Sequence, residues 1–318
     1  MARERSNSSR VFANRAFLWV CLVATTAVVL ILCGLLGSVV LQGWEGLSWK
    51  FLSAKGSSSP AKAGIGPPLV GSLLICTICA VVTLPLGIGT ALYLEEFARR
   101  SRFSRFVQTN IMNLAGVPSI VYGLLGLTAF ARMFGAFGTN VEAAISFAPA
   151  DHPIFGEEGW LYLRLPLGSG VLAGGLTLML VILPIVIIAT QEALRAVPSS
   201  LRTGALALGA TRWQTTWEIT LPAAIPGIMT GAILAMSRAI GESAPLLVLG
   251  ASLYQTFYPN NLMSDFPVLP LQIYNWAEDP KPDFQKLAAT AIIVQLAALL
   301  AFNGIAILIR QKLQKPLQ

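Results

Sequence analysis

Six long apolar runs constrain this chain more than any other feature of its sequence. The fifth of them along the chain, residues 223–250, is interrupted only by Arg238 and Glu242. The other five carry no charged residue and cover residues 16–41, 69–94, 107–131, 165–191 and 287–309. The hydrocarbon core of a bilayer is about 30 Å thick, and about 20 apolar helical residues cross it. The sequence therefore predicts an all-α polytopic membrane protein with six transmembrane helices.

The composition excludes the main classes of soluble chain. Only 12% of the 318 residues are charged, 55% are hydrophobic, and the mean hydropathy is +0.68. Soluble domains carry about twice that fraction of charged residues, because their surfaces face water. A water-soluble enzyme, a coiled coil and a disordered chain are therefore excluded.

The distribution of Lys and Arg predicts the orientation of the helices. Of the 22 basic residues, 14 fall in residues 1–15, 95–106, 192–222 and 310–318, and the segments that alternate with these hold six. Basic residues accumulate on the cytoplasmic side of a membrane, so both termini are predicted to be cytoplasmic. The same asymmetry accounts for the net charge of +7, which therefore does not indicate a nucleic-acid partner.

The chain is predicted to consist of a leading helix and a five-helix core. The leading part comprises a cytoplasmic tail (1–15), the first transmembrane helix (16–43) and an outer linker rich in Ser, Gly and Pro (44–66). The core covers residues 67–310 and a second cytoplasmic tail covers 311–318. The first run is longer than the apolar region of a signal peptide, so we predict that it stays in the membrane.

Two cysteines with C-x-x-C spacing raise the possibility of redox or metal chemistry. Cys76 and Cys79 lie inside the second apolar run, with no His, acid or base nearby to stabilise a thiolate. A thiol in hydrocarbon behaves as a small apolar side chain, so packing is the favoured interpretation. His152 stands alone in an outer loop. We therefore predict no catalytic residue and no metal ligand, and an intramembrane redox enzyme remains the alternative of a different class.

The segment 192–222 between the fourth and fifth runs contains a short amphipathic pattern. Pro198 followed by two serines predicts a helix stop and a new N-cap, and Gly209 is typical of a helix end. A helix of about two turns is not stable alone in water and must pack on something. Its small residues would let it lie in the groove of a partner, and they are Gly204, Ala205, Ala207 and Ala210. An ordinary surface loop is the alternative.

This segment resembles the EAA loop of ABC-transporter permeases. In that pattern a small-residue helix leads to a glycine, and nine residues separate the glycine from Ile-x-Leu-Pro. Gly209 and the sequence Ile219, Thr220, Leu221, Pro222 reproduce that spacing. The leading Glu-Ala-Ala of the pattern corresponds to Thr203, Gly204 and Ala205, so the acidic residue is absent. The resemblance implies that the helix docks on a cytoplasmic ATPase without a salt bridge from this position.

Further motifs resemble the phosphate ABC transporter permeases. They are YLEE (93–96), GVPSIVYGL (116–124), SRAIGESAP (237–245) and LPLQIYNW (269–276). The last two, together with ATQEALRAVP (189–198), resemble the PstA type in particular, and the resemblance covers about residues 65–310. The resemblance implies the type I importer permease fold and a PstC-type permease as partner. It also implies a dimer of a PstB-type ATPase and a PstS-type phosphate-binding protein. The chain has no Gly-x-x-x-x-Gly-Lys-Ser/Thr sequence, so ATP and Mg²⁺ are expected on the ATPase and no cofactor on this chain.

Arg238 and Glu242 are the candidate substrate-path residues. With the fifth run as one helix, both fall on the stripe of Gly227, Gly231, Ala235 and Ala239, which suits close helix packing. A charge at membrane depth normally faces protein or a wet cavity. Arg238 is predicted to line an anion path, with Glu242 tempering its charge. The alternative is an Arg–Glu bridge that only locks the helix, and Arg132 is interpreted as a snorkelling side chain.

The sequence thus predicts a permease subunit of an ATP-driven phosphate importer in a bacterial inner membrane. The alternatives are a permease for another oxyanion, such as sulfate or molybdate, and a sensor or assembly subunit outside the path.

Overall fold

The structure is a computed structural model that describes residues 2–98, 101–136, 145–146, 154, 159–251 and 257–313. It is mainly helical, which confirms the predicted fold class. The α-helices are α1 Ala2–Gly43, α2 Trp49–Ser53, α3 Gly66–Leu92, α4 Arg102–Ala115, α5 Ser119–Gly126, α6 Val171–Arg195, α7 Ser199–Ala207, α8 Arg212–Gln214, α9 Leu221–Gly241, α10 Ala244–Leu249, α11 Leu269–Glu278 and α12 Pro282–Leu313. Two short antiparallel strands, β1 Ile145–Ser146 and β2 Arg164–Leu165, pair with each other.

Five helical segments of the described chain are long and apolar enough to cross a membrane. They are Arg10–Gly46, Gly66–Phe97, Val171–Arg195, Arg212–Gly241 and Pro282–Lys312. They correspond to five of the six predicted spans, and their ends differ from those of the apolar runs. In particular, α1 is helical from Ala2, so the helix includes the part of the chain that we assigned to an N-terminal tail.

The third predicted span, residues 107–131, is not one continuous helix. The chain breaks between α4 and α5 and bends there by 106°. Helix α5 then continues as a π-helical turn, Leu127–Ala131. Pro118 has no N–H to donate and disfavours helical backbone at Val117, which explains the break. The Tyr122 hydroxyl donates to the carbonyl of Leu114 (2.7 Å) and braces the bend. The two helices together are apolar enough to count as a sixth, broken span, which corresponds to the predicted third transmembrane segment.

Helix α6 lies at the centre of the bundle, and α3 and α9 pack along it. Small residues bring these helices close together. A Cβ added at Gly87 of α3 would lie 2.7 Å from Val186 Cγ1, and one added at Gly231 of α9 would lie 2.5 Å from Ala189 Cβ. Glycine is required at such crossings because a larger side chain would separate the helices.

The close packing at Gly231 leads to a stability prediction. Replacing Gly231 by leucine is expected to destabilise the chain by about 1–3 kcal/mol, because the new side chain has no space against Ala189. Thermal unfolding in detergent measures the effect. The Gly241→Leu variant is a matched control on the same helix, since a Cβ there would meet no atom within 4 Å. Equal melting temperatures for the two variants would contradict the proposed packing.

The segment 44–66, which we predicted to be a linker, is folded. It contains α2 and two 3₁₀ turns, Trp44–Gly46 and Pro60–Lys62. Its buried residues Phe51, Ala63 and Ile65 pack in one apolar cluster with residues of α11 and α12. This segment therefore closes one end of the bundle, in addition to connecting α1 to α3.

Helix α1 is attached to the rest of the chain near its C-terminal end. Gly43 lies against the backbone of α12, and Thr290 Oγ1 donates to the Gly43 carbonyl at 2.9 Å. Helix α12 in turn is joined to α9 by hydrogen bonds from Ser237 Oγ to Asn303 Oδ1 (2.6 Å) and from Arg310 to Thr230 Oγ1 (2.8 Å). The apolar faces of α1 remain exposed in this chain.

Candidate functional site

Helix α7 is the short helix that the sequence predicted after Pro198. Its end is a Schellman motif, in which the Gly209 N–H donates to Leu206 O and the Ala210 N–H donates to Ala205 O, both at 3.1 Å. Gly209 has φ +89°, a conformation that favours glycine. Its predicted role as the helix end is therefore confirmed. At the other end Pro198 is the N-cap and no side chain caps the helix, so the predicted serine N-cap is wrong.

Residues 212–222, which we placed in a loop, are helical. Thr211 and Gln214 form a capping box that starts α8. The helix then continues through a π-helical turn, Thr215–Thr220, directly into α9. Ile219, Leu221 and Pro222 therefore belong to the membrane-spanning segment Arg212–Gly241. Since α6 also runs on to Arg195, the only non-helical parts of the predicted 192–222 loop are the short connections on either side of α7.

The outward surface of α7 is open in this chain. Thr203 and Gly204 are exposed, and a Cβ added at Gly204 would meet no atom within 4 Å. Leu208 is also exposed, whereas Ala205 faces the bundle and is buried. Apolar and small residues that remain exposed together are typical of a surface that a partner covers.

Two carboxylates that the sequence analysis gave no role hold this region. A π-helical turn, Tyr93–Phe97, continues α3 and is called here the α3 extension. Its Glu96 pairs with Arg202 of α7 at 2.9 Å, and its Glu95 accepts a hydrogen bond from Arg195 Nε at 3.0 Å. Both glutamates belong to the YLEE motif. Their ion pairs join residues about a hundred positions apart, so no local spacing in the sequence indicates these pairs.

Arg238 and Glu242 do not lie on one helix, contrary to the prediction. Helix α9 ends at Gly241, and Glu242 has extended backbone (φ −81°, ψ 118°). Pro245, in the first turn of α10, cannot donate a helical hydrogen bond, so the two helices remain separate. Arg238 Nε is 3.8 Å from Glu242 Oε2, and the side chains are 59% and 15% exposed. The two groups are close enough to attract each other, but Arg238 keeps most of its donors free for another ligand.

The packing of α9 on α6 gives the depth of Arg238. Gly227 lies against Ala193 and Gly231 against Ala189, which defines an antiparallel register. Two further turns along this register place Arg238 at the level of Ile182, near the midpoint of α6. An exposed charge at mid-membrane depth is unfavourable in lipid. Another protein surface or water must therefore cover this guanidinium.

The predicted small-residue stripe packs as expected, but the charges fall elsewhere. Ala235 and Ala239 are buried, and Gly231 contacts α6. Arg238 projects from the exposed margin of this stripe, and Glu242 lies beyond the end of the helix. Within this chain the helix contact therefore leaves Arg238 exposed, whereas Glu242 is mostly buried beside a small pocket.

Cys76 and Cys79 of the C-x-x-C pair lie in apolar surroundings. Cys79 is buried, with its Sγ 3.5 Å from Thr83 Oγ1. Cys76 lines an apolar crevice of about 300 Å³ between α3, α9 and α12. Within the part of the chain that the structure describes, no group of three or more His, Cys, Asp or Glu side chains is placed to hold a metal ion. His152 lies outside the described residues.

Comparison with known proteins identifies the family. The model of the family described as "Binding-protein-dependent transport system inner membrane component" matches residues 83–315. The probable ABC transporter permease protein YqgI of Bacillus subtilis (strain 168) is 30% identical over 285 residues, 86% of each chain. The phosphate transport system permease protein PstA of Yersinia pestis is 32% identical over 276 residues, 86% of this chain and 81% of that protein.

A solved structure shares the fold at low sequence identity. A chain in the crystal structure of a bacterial alginate ABC transporter, in complex with an alginate pentasaccharide-bound periplasmic protein, has a TM-score of 0.63 and is 16% identical. The match covers 91% of this chain and 92% of that chain. This likeness shows the fold, and the family match shows that the chain belongs to the binding-protein-dependent transport system inner membrane components and is a permease subunit of an ABC importer.

Proposed function

We propose that this permease subunit carries inorganic phosphate. The observation that carries the proposal is the exposed Arg238 at mid-membrane depth, in a chain that is similar to PstA over most of its length. A guanidinium presents several N–H donors in a flat fork that suits the oxygens of a tetrahedral anion. Arg238 is therefore placed to meet an anion in a path that this chain shares with a partner.

Glu242 tempers the charge of Arg238. Its carboxylate is 3.8 Å from the guanidinium and mostly buried, in a small pocket that also involves Ser72 and Leu178. An isolated arginine in a weakly polar path would bind phosphate tightly and release it slowly. A nearby negative charge weakens anion binding, so the anion can leave as well as enter.

The exposed face of α9 around Arg238 is proposed to lie against a PstC-type permease. That partner would complete the path and remove the exposed guanidinium from lipid. A PstS-type binding protein would deliver phosphate at the outer end of the path. These assignments rest on the resemblance to phosphate permeases and on the uncovered charge.

The end of the bundle that carries α7 is proposed to face the cytoplasm, with both chain termini on the same side of the inner membrane. The excess of Lys and Arg in the segments at that end supports this orientation. The open surface of α7, from Thr203 to Leu208, would dock in a groove of a PstB-type ATPase, of which two copies serve the complex. ATP and Mg²⁺ would be held by the ATPase, and no cofactor by this chain.

Movement of the ATPases would displace α7 and change access to the path. Helix α7 is connected through the chain to α6 on one side and to the continuous helix Arg212–Gly241 on the other. Because Arg238 lies on that second helix, a shift of α7 alters the surroundings of the guanidinium. Rigid helices that move against their neighbours are a common way to produce two access states.

The experiment is anion uptake by the complete transporter in proteoliposomes. We expect uptake of radiolabelled phosphate that depends on ATP and on the binding protein, and that excess sulfate or molybdate does not suppress. Uptake of sulfate or molybdate in place of phosphate would overturn the phosphate assignment and favour the other oxyanion. Phosphate uptake that does not require this chain would favour a sensor or assembly subunit.

The redox alternative is tested by removing both thiols of the C-x-x-C pair. Replacing Cys76 and Cys79 by alanine is expected to leave phosphate uptake within about twofold, because thiols in apolar surroundings act as small apolar side chains. The uptake assay measures this directly, with the wild-type complex at equal protein level as control. Loss of uptake in a variant that still assembles would support a thiol-dependent step instead.

A further inference from the structure

Helix α3 is joined to α7 by an ion pair that crosses between separate parts of the chain. Arg202 of α7 and Glu96 of the α3 extension are 2.9 Å apart, and their side chains are only 23% and 13% exposed. Surface ion pairs contribute little, whereas a pair that is shielded from water and satisfied by further hydrogen bonds holds its geometry more firmly. This contact is therefore suited to positioning α7.

Arg202 uses most of its donors at this junction. Its Nε and Nη2 donate to Glu96 Oε1 at 3.2 and 2.9 Å. Its Nη2 also donates to Leu194 O at 2.7 Å, and its Nη1 donates to Val197 O at 3.1 Å. One side chain thus joins α7 to the α3 extension and to the carbonyl groups at the end of α6.

We propose that Glu96 and Arg202 are positioning residues that transmit displacement of α7 to α3. This inference rests on the proposed function and adds a route that the order of the chain does not provide. Helix α7 is continuous with α6 and α9 through short connections, but α3 is separated from it in sequence by about a hundred residues. A shift of α7 reaches α3 through the Glu96 contact.

Helix α3 leads from this contact to the surroundings of Glu242. Ser72, Ile75 and Cys76 of α3 line the same small pocket as Glu242. A packed helix moves as a rigid element, so a displacement at Glu96 changes the position of these residues. The Glu96–Arg202 pair thereby links the proposed docking surface to the proposed anion path.

A second contact of the α3 extension supports the same route. The rings of Phe97 and Trp213 have centroids 5.9 Å apart, and Trp213 lies in α8 at the start of the membrane-spanning segment. The polar and aromatic contacts together place the α3 extension between α7 and α8. The missing acidic residue at Thr203 is consistent with α7 being held by a carboxylate from another element.

A double-mutant cycle in the complete transporter tests the proposal. Glu96→Gln, Arg202→Gln and the double variant are compared in proteoliposomes with the ATPase and the binding protein, using inorganic phosphate as the substrate. We expect each single variant to lower the phosphate moved per ATP by about tenfold, the factor for losing one hydrogen bond between charged groups. The double variant should be no worse than either single variant. Independent, multiplicative losses would overturn the proposal.

Glu192→Gln is the matched control. It removes the same charge from the same region, but Glu192 is exposed and pairs with Arg195 one turn away on its own helix, so it joins no separate elements. Its phosphate-to-ATP ratio should equal that of the wild type. A loss equal to that of Glu96→Gln would mean that general charge at this end of the bundle, and not the pair, sets the ratio.

Cross-linking separates transmission from simple docking. A Leu208→Cys substitution is combined with each variant and cross-linked to a cysteine on the ATPase. We expect Leu208→Cys to form the same cross-links with and without each variant, because the pair acts after docking. Loss of the cross-links in Glu96→Gln would overturn the transmission role.

If wild-type vesicles take up no phosphate, the proposed function fails. If the wild type transports phosphate and the variants keep its ratio, only this proposal fails.

Discussion

Replacing Arg238 by alanine is expected to reduce phosphate uptake by about 100-fold or more while leaving assembly of the complex intact. The estimate corresponds to losing two hydrogen bonds between a charged donor and the anion, each contributing about 1.5–3 kcal/mol. Assembly should persist because the 59% exposed side chain contributes little packing within this chain, and because its loss removes a charge and not the apolar area of the face proposed to meet the partner. Uptake into proteoliposomes and recovery of the partner subunits by affinity purification measure the two effects.

Two variants make the Arg238 result specific. Arg238→Lys keeps the charge but loses the planar fork, so uptake should be intermediate. Arg132→Ala removes an exposed arginine at the end of α5 that we interpret as snorkelling, and its uptake should match the wild type. If Arg238→Ala transports normally, the side chain has no path role. If Arg238→Ala and Glu242→Ala lose only stability, and by the same amount, the pair is a structural bridge.

Replacing Gly209 by valine is expected to uncouple ATP hydrolysis from uptake. Gly209 has φ +89°, and a β-branched residue held in that region is strained by about 1–3 kcal/mol. The strain is relieved by opening the Schellman motif, which displaces Leu208 and the end of α7. We expect the stimulation of ATP hydrolysis by the phosphate-loaded binding protein to fall by about 5- to 150-fold, since each 1.4 kcal/mol of strain changes a docking equilibrium tenfold.

A second glycine distinguishes backbone conformation from side-chain bulk. Gly304 lies within α12, and a Cβ there would meet no atom within 4 Å. Gly304→Val therefore adds the same side chain without forcing a left-handed backbone, and its stimulated ATP hydrolysis should match the wild type. Equal effects of the two substitutions would show that the positive φ of Gly209 is not what matters for coupling.

Local sequence signals were sufficient wherever the environment of a residue followed from its own neighbours. Long apolar runs located five of the spans, because an apolar helix of sufficient length is stable in a bilayer whatever it packs against. Gly209 was identified as a helix end because a positive φ depends on the residue itself. The small residues of α9 marked the face that packs closely on α6.

The same signals were misleading where a break in the backbone interrupts an apolar run. Residues 107–131 are apolar enough for one span, but the chain turns by 106° near Pro118. Residues 223–250 look equally continuous, yet α9 ends at Gly241. Hydropathy reflects the free energy of transferring side chains into lipid and says nothing about backbone geometry, so it does not detect these breaks. The prolines were visible, but a proline in a membrane helix kinks the helix in one place and ends it in another.

By itself, the sequence determined the number of apolar segments, their helical state and the position of the small-residue helix α7 with its glycine end. Each depends on interactions within a few residues or with the bilayer. The tertiary structure alone decided that Glu96 meets Arg202 and that Arg238 is exposed at the level of Ile182. These relations join residues distant in sequence or depend on how helices cross, and the packing of side chains between helices sets them.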